Sequence, residues 1–135
     1  MSRVAILLSV HPRFADKIFD GTKRIEFRKL NIPTDIDRVF VYSTSPISAI
    51  LGYFDVEKTI ELSPANLWRK YSSIGGISKD AFYSYYQGHC LGRGLLIGSI
   101  RRYSLTIPLP KQMRAPQSFS YLEDEMVMQM TRRGG

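Results

Sequence analysis

The chain has 135 residues, 44% of them hydrophobic and 12% aromatic, so it can bury the core of one domain and is not a disordered tail. Nineteen lysines and arginines against twelve acidic residues give a formal net charge of +7, which favours anionic partners. The single cysteine, Cys90, excludes an internal disulfide framework and a multi-cysteine zinc site.

The apolar run at residues 4–10 stops after seven residues, at His11, Pro12 and Arg13. A membrane-spanning helix needs about 20 apolar residues, and no small-residue cleavage site follows this run. We therefore expect a soluble, cytoplasmic protein.

The beginning of the chain predicts a strand followed by a short helix. Residues 4–10 are rich in β-forming residues and almost continuously apolar, which is typical of a strand buried on both faces. Pro12 can open an amphipathic helix, and Gly21 can end it.

Residues 22–29 alternate between apolar and charged side chains, which predicts a second strand. Glu26 and Arg28 share one face of that strand. By the same alternation Lys23 lies on the face of Ile25, unless a bulge redirects it.

The rest of the chain predicts further strands and three short helices. In order these are strands at 38–43 and 49–57, helices that begin at Ser63-Pro64 and at Ser78, a long strand or hairpin at 94–107, and a helix at 121–130. Pro46 lies in a predicted turn over residues 44–48, and Gly88 ends the second of these helices. The final Arg-Arg-Gly-Gly is expected to fray.

Strands interleaved with short helices at irregular spacing predict a small α+β domain or a partly open β-barrel. A doubly wound parallel sheet is disfavoured because the helices are too few and the gaps between strands too short. The sequence contains no internal repeat and no composition shift that would mark a linker.

Residues 81–122 carry five basic side chains and no acidic one. Tyrosines interleave with these cations, and the combination of cations for phosphates with flat rings for bases is typical of single-strand binders. The alternative is an exposed basic edge whose tyrosines belong to the core. We expect at least two of Tyr83, Tyr85 and Tyr86 to pack in the core.

No familiar catalytic signature is present: the chain has no GxxxxGK[ST], GxSxG or HExxH motif. His11 and His89 are too few for a three-histidine metal site. Cys90 would need a base and a lowered pKa to act as a nucleophile, and an idle thiol is the simpler interpretation. We expect neither a metal ion nor a cofactor.

Lys23, Glu26 and Arg28 form a more suggestive set. A carboxylate between two cations stays ionised and can hold a lysine or an arginine in a fixed orientation. Such a group can bind the polar edge of a base or position a nucleophile. The alternative is a surface ladder of ion pairs along an exposed strand, which contributes little.

Residues 6–28, ILLSVHPRFADKIFDGTKRIEFR, resemble the opening of ASCH domains, which are members of the PUA-like superfamily. The matching elements are a strand, a Pro-x-Phe-Ala-x-x-Ile helix and a Gly-x-Lys-x-x-Glu-x-Arg strand, here with Gly21, Lys23, Glu26 and Arg28. The similarity continues through 42–57, the segments ISKDAFYSYYQG and GLLIGSIRRY, and 115–122. It therefore spans about residues 4 to 122.

The resemblance implies a PUA-like, partly open β-barrel of about five to six strands with flanking short helices. It places an ASCH domain at residues 1–122 and leaves a helical extension and tail at 123–135. It also implies RNA-related roles, namely binding of RNA or of a modified nucleotide in the regulation of RNA metabolism or translation.

On this interpretation Lys23 and Arg28 contact a phosphate or the carbonyl edge of a base, and Glu26 accepts from an amino group or orients Arg28. Five further residues are expected to add contacts. They are Ser43, Thr44 and Ser45 at the pocket wall, with Tyr86 and Arg93 from the basic, aromatic stretch.

Two branches of the family suggest an enzyme, with Lys23 and Glu26 as the candidate catalytic residues. One branch resembles amidohydrolases that deacylate a modified cytidine, but Glu26 stands where that branch has its threonine nucleophile, so the mechanism does not carry over. The other branch is linked to RNA cleavage, for which Lys23, Arg28, Tyr42 and Tyr86 are candidates to move protons and steady the phosphate.

A third interpretation is a protein-interaction module. The predicted helix at 121–130 carries Leu122, Met126, Val127 and Met130 on one stripe, which could form a homodimer or dock on a partner. Packing against the chain's own barrel is the commoner outcome for such a stripe.

Overall fold

The structure is a computed structural model that describes residues 4–111 and 113–133, except for the side chain at position 133. Its elements in chain order are β1 (Ala5–Val10), α1 (Pro12–Asp20), β2 (Ile25–Arg28), β3 (Arg38–Ser43), β4 (Ala49–Leu62), α2 (Pro64–Tyr71), a 3-10 turn (Ser72–Ile74), α3 (Lys79–Tyr85), β5 (Gly92–Ile107), β6 (Phe119–Tyr121) and α4 (Asp124–Arg133). No helix in the described part of the chain is both long enough and apolar enough to span a membrane.

Six strands form one curled, half-barrel sheet in the order β2-β5-β4-β3-β1-β6. The pair β1 and β3 is parallel, and every other neighbouring pair is antiparallel. The predicted α+β class, with a partly open barrel and flanking short helices, is confirmed. The one parallel pair fits the chain because α1 connects β1 to the rest of the sheet.

The sheet is bent along its longest pair, β4 and β5, which have 14 and 16 residues. Their register shifts at three places, and such irregularities bend and twist the strands. Gly52 lies at a close approach of the two strands, where an added Cβ would collide with the carbonyl oxygen of Arg101. The curl therefore depends on a residue without a side chain at this position.

Both faces of the sheet are covered, which explains the continuous apolar run of β1. One face packs against α1 and the other against α4. The residues of β1 divide into Ile6, Leu8 and Val10 on the α1 face and Ala5 and Leu7 on the α4 face. The prediction of a strand buried on both sides is confirmed.

Helix α1 begins and ends where the sequence predicts. Pro12 occupies its first turn, and the backbone N–H of Arg13 donates to Nδ1 of His11, which caps the helix. Gly21 ends it with φ at 87°, a left-handed conformation that suits glycine. The helix thus fixes the position of the segment that leads into β2.

Lys23 lies outside β2, which begins only at Ile25, so the predicted alternation does not reach it. Its backbone N–H donates to the carbonyl of Lys17, and the chain is still turning there. Contrary to the alternation, the Lys23 side chain joins Glu26 rather than sharing the face of Ile25.

The later elements differ from the predictions mainly in length. β4 continues past residue 57 to Leu62 because Ile60 still packs in the core beside β5. The stretch predicted as a strand or hairpin is the single strand β5. β6 was not predicted, since its three residues follow a proline-rich segment, and it displaces the start of α4 from 121 to Asp124. Gly134 and Gly135 of the predicted frayed end lie outside the described residues.

The stripe on α4 packs on the chain's own sheet. Met130 is buried, and Leu122, Met126 and Val127 contact the same cluster. Among the three neighbouring tyrosines, Tyr86 is buried and Tyr85 is half-buried, so two of the three pack in the core as predicted.

We expect Gly52→Ala to lower the free energy of unfolding by about 2–4 kcal/mol, because the methyl group forces β4 and β5 apart. Gly88→Ala is the matched control: its φ of 80° is also left-handed, but nothing lies within 4 Å of the added Cβ. The control should cost only about 1 kcal/mol. Urea denaturation of both variants measures the difference, and equal losses would contradict the steric explanation.

Candidate functional site

A cavity of about 530 Å³ lies where α1, β2 and α3 meet. It is lined by Val10, His11, Arg13, Phe14, Lys23, Glu26, Phe27, Arg28, Ile77, Ala81, Phe82, Ser84 and Tyr85. The cleft thus brings together the carboxyl end of β1, the first turn of α1, the charged strand β2 and one side of α3.

An ion cluster of Lys23, Glu26 and Arg28 forms its polar wall. Nζ of Lys23 lies 3.4 Å from Oε1 of Glu26, and Nη2 of Arg28 lies 2.9 Å from Oε2. Nε of Arg28 also donates to Oε2 at 3.0 Å, and its Nη2 donates to the carbonyl of Ser9 at 2.8 Å. With two cations and one carboxylate, the cluster leaves one net positive charge at the cleft.

The cluster is buried, unlike an exposed ladder of ion pairs. Lys23 is 2% exposed and Glu26 is 6% exposed. Burial lowers the pKa of the Lys23 ammonium, and the nearby carboxylate of Glu26 opposes that shift. A lysine with a lowered pKa supplies a neutral amine more readily than a surface lysine does.

Three successive carbonyls between the 3-10 turn and α3 hold this side of the cleft. The carbonyl of Ile74 accepts from the backbone N–H of Arg24 at 2.8 Å, and that of Gly75 accepts from Nζ of Lys23 at 2.5 Å. The carbonyl of Gly76 accepts from Nζ of Lys17 at 3.0 Å. The segment therefore fixes the direction of the Lys23 amine.

Gly76 has a left-handed φ of 62°, and a Cβ there would lie 2.9 Å from Cβ of Lys23. Glycine is therefore needed at this position both for the backbone conformation and for the close approach. Gly75 and Glu26 together accept two N–H groups of the Lys23 side chain. An ammonium group carries three N–H donors, so one further donor remains on Lys23, which lines the cavity.

The apolar wall is aromatic. Nζ of Lys23 lies 5.3 Å from the ring centre of Phe14 and 5.4 Å from that of Phe27, within cation–π distance. Phe82 packs edge-on against Phe27, and burial raises the pKa of the Tyr85 phenol. Flat apolar surfaces thus stand beside a positively charged wall.

Two further predicted contacts lie behind this wall. Tyr86 is 2% exposed, and its hydroxyl donates to the carbonyl of Arg28 at 2.8 Å. Arg93 pairs with Arg28 in the sheet, but its guanidinium binds the carboxylate of Glu61 and the carbonyls of Leu30 and Ile32. In this structure both side chains support β2, and neither lines the cleft.

The predicted hydroxyl group of residues 43–45 lies apart from the cleft lining. Ser43 ends β3 fully buried, and within the described residues its Oγ has no hydrogen-bond partner. Thr44 and Ser45 follow in a turn, where the N–H of Thr44 donates to the carbonyl of Val10. Val10 does line the cleft, so this turn contacts the cleft wall from behind.

Sequence reasoning missed the contribution of α1 to the site. His11, Arg13 and Phe14 all line the cleft, although none of them was among the predicted site residues. A usable signal was present, since Pro12 directly after a buried strand places the start of a helix at the sheet edge. The sequence of α3 contains no comparable signal that this helix lines the cleft.

The arrangement suits binding of an anion that carries a flat ring, and it also suits proton transfer by Lys23. His11 accepts a hydrogen bond at Nδ1, so in the neutral ring Nε2 carries the proton and can donate. Among the described residues no group of three or more His, Cys, Asp or Glu side chains is close enough together to hold a metal ion.

Comparison with known sequences gives one family and several relatives. The ASCH domain profile matches residues 8–96. Large ribosomal subunit protein uL22 of Ureaplasma parvum is 31% identical over 121 residues, and ATP synthase subunit alpha of the same organism is 28% identical over 126 residues. The two alignments cover 87% and 91% of this chain, but the chain spans only 39% and 16% of the length of these two proteins.

An ASCH domain-containing ribonuclease of Zymomonas mobilis is 26% identical over 129 residues, which cover 91% of this chain and 87% of that protein. The crystal structure of ASCH from Zymomonas mobilis superposes with a TM-score of 0.87 at 23% identity. That match covers 97% of this chain and 96% of the crystal structure. The fold is thus shared over nearly the whole chain.

We expect Glu26→Gln to lower the free energy of unfolding by about 3 kcal/mol, because it leaves the buried Lys23 without its carboxylate partner. Glu61→Gln is the control, since the Glu61 side chain pairs with Arg93 but is 45% exposed, against 8% for Glu26. The control should lose less than about 1 kcal/mol. Urea denaturation compares the two, and a loss no larger in Glu26→Gln would contradict the assigned role.

Proposed function

Because the chain belongs to the ASCH domain family, we propose that it binds single-stranded RNA or a modified nucleotide in the cleft between α1, β2 and α3. The observation that carries the proposal is the buried cluster of Lys23, Glu26 and Arg28, which presents net positive charge beside aromatic walls. The formal net charge of +7 on the whole chain also favours an anionic ligand.

Each part of the cluster has a role in the proposal. Lys23 and Arg28 offer N–H donors to phosphate or to the carbonyl edge of a base. Glu26 holds both cations and can accept from an exocyclic amino group. Phe14 and Tyr85 offer ring surfaces on which a base can stack, a contact that tolerates any sequence.

The relatives support RNA as the partner without fixing it. One is named as a protein of the large ribosomal subunit and another as a ribonuclease. This chain spans only 39% of the ribosomal protein, so membership of the large ribosomal subunit is a property of that whole protein.

The proposal also assigns the domain boundaries of the chain and its location in the cell. We propose that residues 1–122 carry the RNA-binding function, and that residues 123–135 form an extension. Its helix α4 covers the face of the sheet opposite α1. A cytoplasmic location, where the chain meets RNA, belongs to the same proposal.

A homodimer through α4 would have to use the side of this helix that faces away from the sheet, where Met128 is exposed.

We expect the protein to bind a labelled single-stranded RNA in a salt-dependent way and more tightly than the matched DNA. Lys23→Ala should weaken RNA binding about tenfold and reduce the slope of log K against log salt by about 0.7, the value for one lost phosphate contact. Fluorescence anisotropy at two salt concentrations measures both.

Lys70→Ala is the matched control, because Lys70 is an exposed lysine on α2 that does not line the cleft. Circular dichroism checks that each variant is folded. Unchanged affinity and slope in Lys23→Ala would overturn the role assigned to that residue. Absence of RNA binding at low salt would overturn RNA as the ligand and leave only the modified nucleotide.

A second candidate function is RNA cleavage. It is favoured by the lowered pKa of the Lys23 ammonium together with the ribonuclease among the relatives. In this reaction the neutral amine of Lys23 takes the proton of a ribose 2′-hydroxyl, whose oxygen attacks the adjacent phosphorus. The bond from phosphorus to the 5′-oxygen breaks, and that oxygen takes up a proton from water. Arg28 stabilises the charge on the phosphate.

Cleavage predicts products in excess of the protein, ending in 2′,3′-cyclic phosphates and 5′-hydroxyls. The rate should rise with pH as Lys23 loses its proton, and Lys23→Ala should abolish it. DNA of the same sequence lacks the attacking hydroxyl and should stay intact. RNA that is bound but recovered whole after long incubation would support the binding function and overturn the cleavage function.

A further inference from the structure

A second, smaller cavity continues from the cleft along α1. It has a volume of about 140 Å³ and shares part of its wall with the cleft, including Arg13 and Phe14. Beyond this shared wall it is lined by Lys17 and by Gly76 and Ser78, which precede α3. The two cavities are therefore neighbours; we call them the two compartments of a groove along α1.

The second compartment is positively charged. Among the described residues its lining holds the cations Arg13 and Lys17 and no carboxylate. The guanidinium of Arg13 lies 5.1 Å from the ring centre of Phe14, and this stacking keeps it at the rim between the compartments. Phe14 is thus within cation–π distance of two cations, Arg13 in the shared wall and Lys23 in the cleft.

Lys17 is held in place rather than extended into solvent. Its Nζ donates to the carbonyl of Gly76 at 3.0 Å, which leaves further N–H donors for a ligand. Helix α1 also carries two carboxylates, Asp16 and Asp20, and Oδ1 of Asp20 accepts from the N–H and hydroxyl of Thr22 at 2.8 and 2.6 Å. Neither carboxylate belongs to the lining of the second compartment, whose described charged residues are Arg13 and Lys17.

We propose that the second compartment binds the next phosphate of an RNA strand whose nucleotide occupies the cleft. The proposal rests on the proposed function and narrows its ligand from a free nucleotide to a strand of at least two linked nucleotides. Arg13 and Lys17 bind the phosphate, and the strand runs along α1 from the Lys23 side toward Ser78. The cleft supplies the base contacts, and the second compartment supplies the preference for a polymer.

The test compares uridine 5′-monophosphate with the trinucleotide UUU as competitors of a short labelled oligouridylate. The unmodified protein should bind UUU at least about tenfold more tightly than the mononucleotide. Lys17→Gln removes the charge, keeps an amide donor for Gly76, and should weaken UUU about tenfold while leaving the mononucleotide unchanged. The salt slope for UUU should fall by about 0.7.

Two further variants make the result specific. Lys17→Arg keeps the charge and should retain the preference for UUU. Lys70→Gln makes the same charge change on α2, outside both compartments, and should retain it as well.

The outcomes separate this inference from the proposed function. If the unmodified protein binds neither competitor, RNA is overturned as the ligand of the proposed function, and the inference fails with it. The other contrary outcome is that the protein binds both competitors while Lys17→Gln weakens the binding of neither, or of both equally. That result supports the cleft as the nucleotide site and overturns the second compartment as a phosphate site.

Discussion

A buried carboxylate must be compensated, and the architecture around the cleft follows from that requirement at Glu26. Its side chain is almost inaccessible on β2, where desolvation of an unpaired charge would cost several kcal/mol. Lys23 and Arg28 supply the opposite charges, and each of them in turn needs further acceptors. Arg28 finds the carbonyl of Ser9 on β1, and Lys23 finds that of Gly75 before α3.

These secondary contacts connect parts of the chain that lie far apart in sequence. Among the described strands β2 pairs with β5 alone, so the hydrogen bond from Arg28 to Ser9 connects it to β1 across the curl. The hydroxyl of Tyr86 binds the Arg28 carbonyl from the other side. The cluster is therefore pre-organised by backbone carbonyls, and its one net positive charge does not depend on flexible surface side chains.

The charged set of the site follows from local sequence, but its geometry does not. Glu26 and Arg28 are two residues apart on a strand, so their shared face follows from the two-residue period. Lys23 breaks that period because the chain is still turning when it reaches this residue. The predicted contacts at Tyr86, Arg93 and Ser43 lie behind or beside the cleft, because burial and partners at those positions depend on distant strands.

By itself the sequence determined the elements whose signals are local: the two-faced strand β1, the capped helix α1 and the charged strand β2. It also determined the family, since the ordered motifs from residue 4 to 122 were sufficient to place the chain among ASCH domains. Only the tertiary structure decided that α3 closes the cleft, that Gly75 and Gly76 hold the two lysines, and that α4 packs on the opposite face. The physical reason is that these contacts join segments about fifty or more residues apart, whose approach is set by the curl of the whole sheet and not by any local pattern.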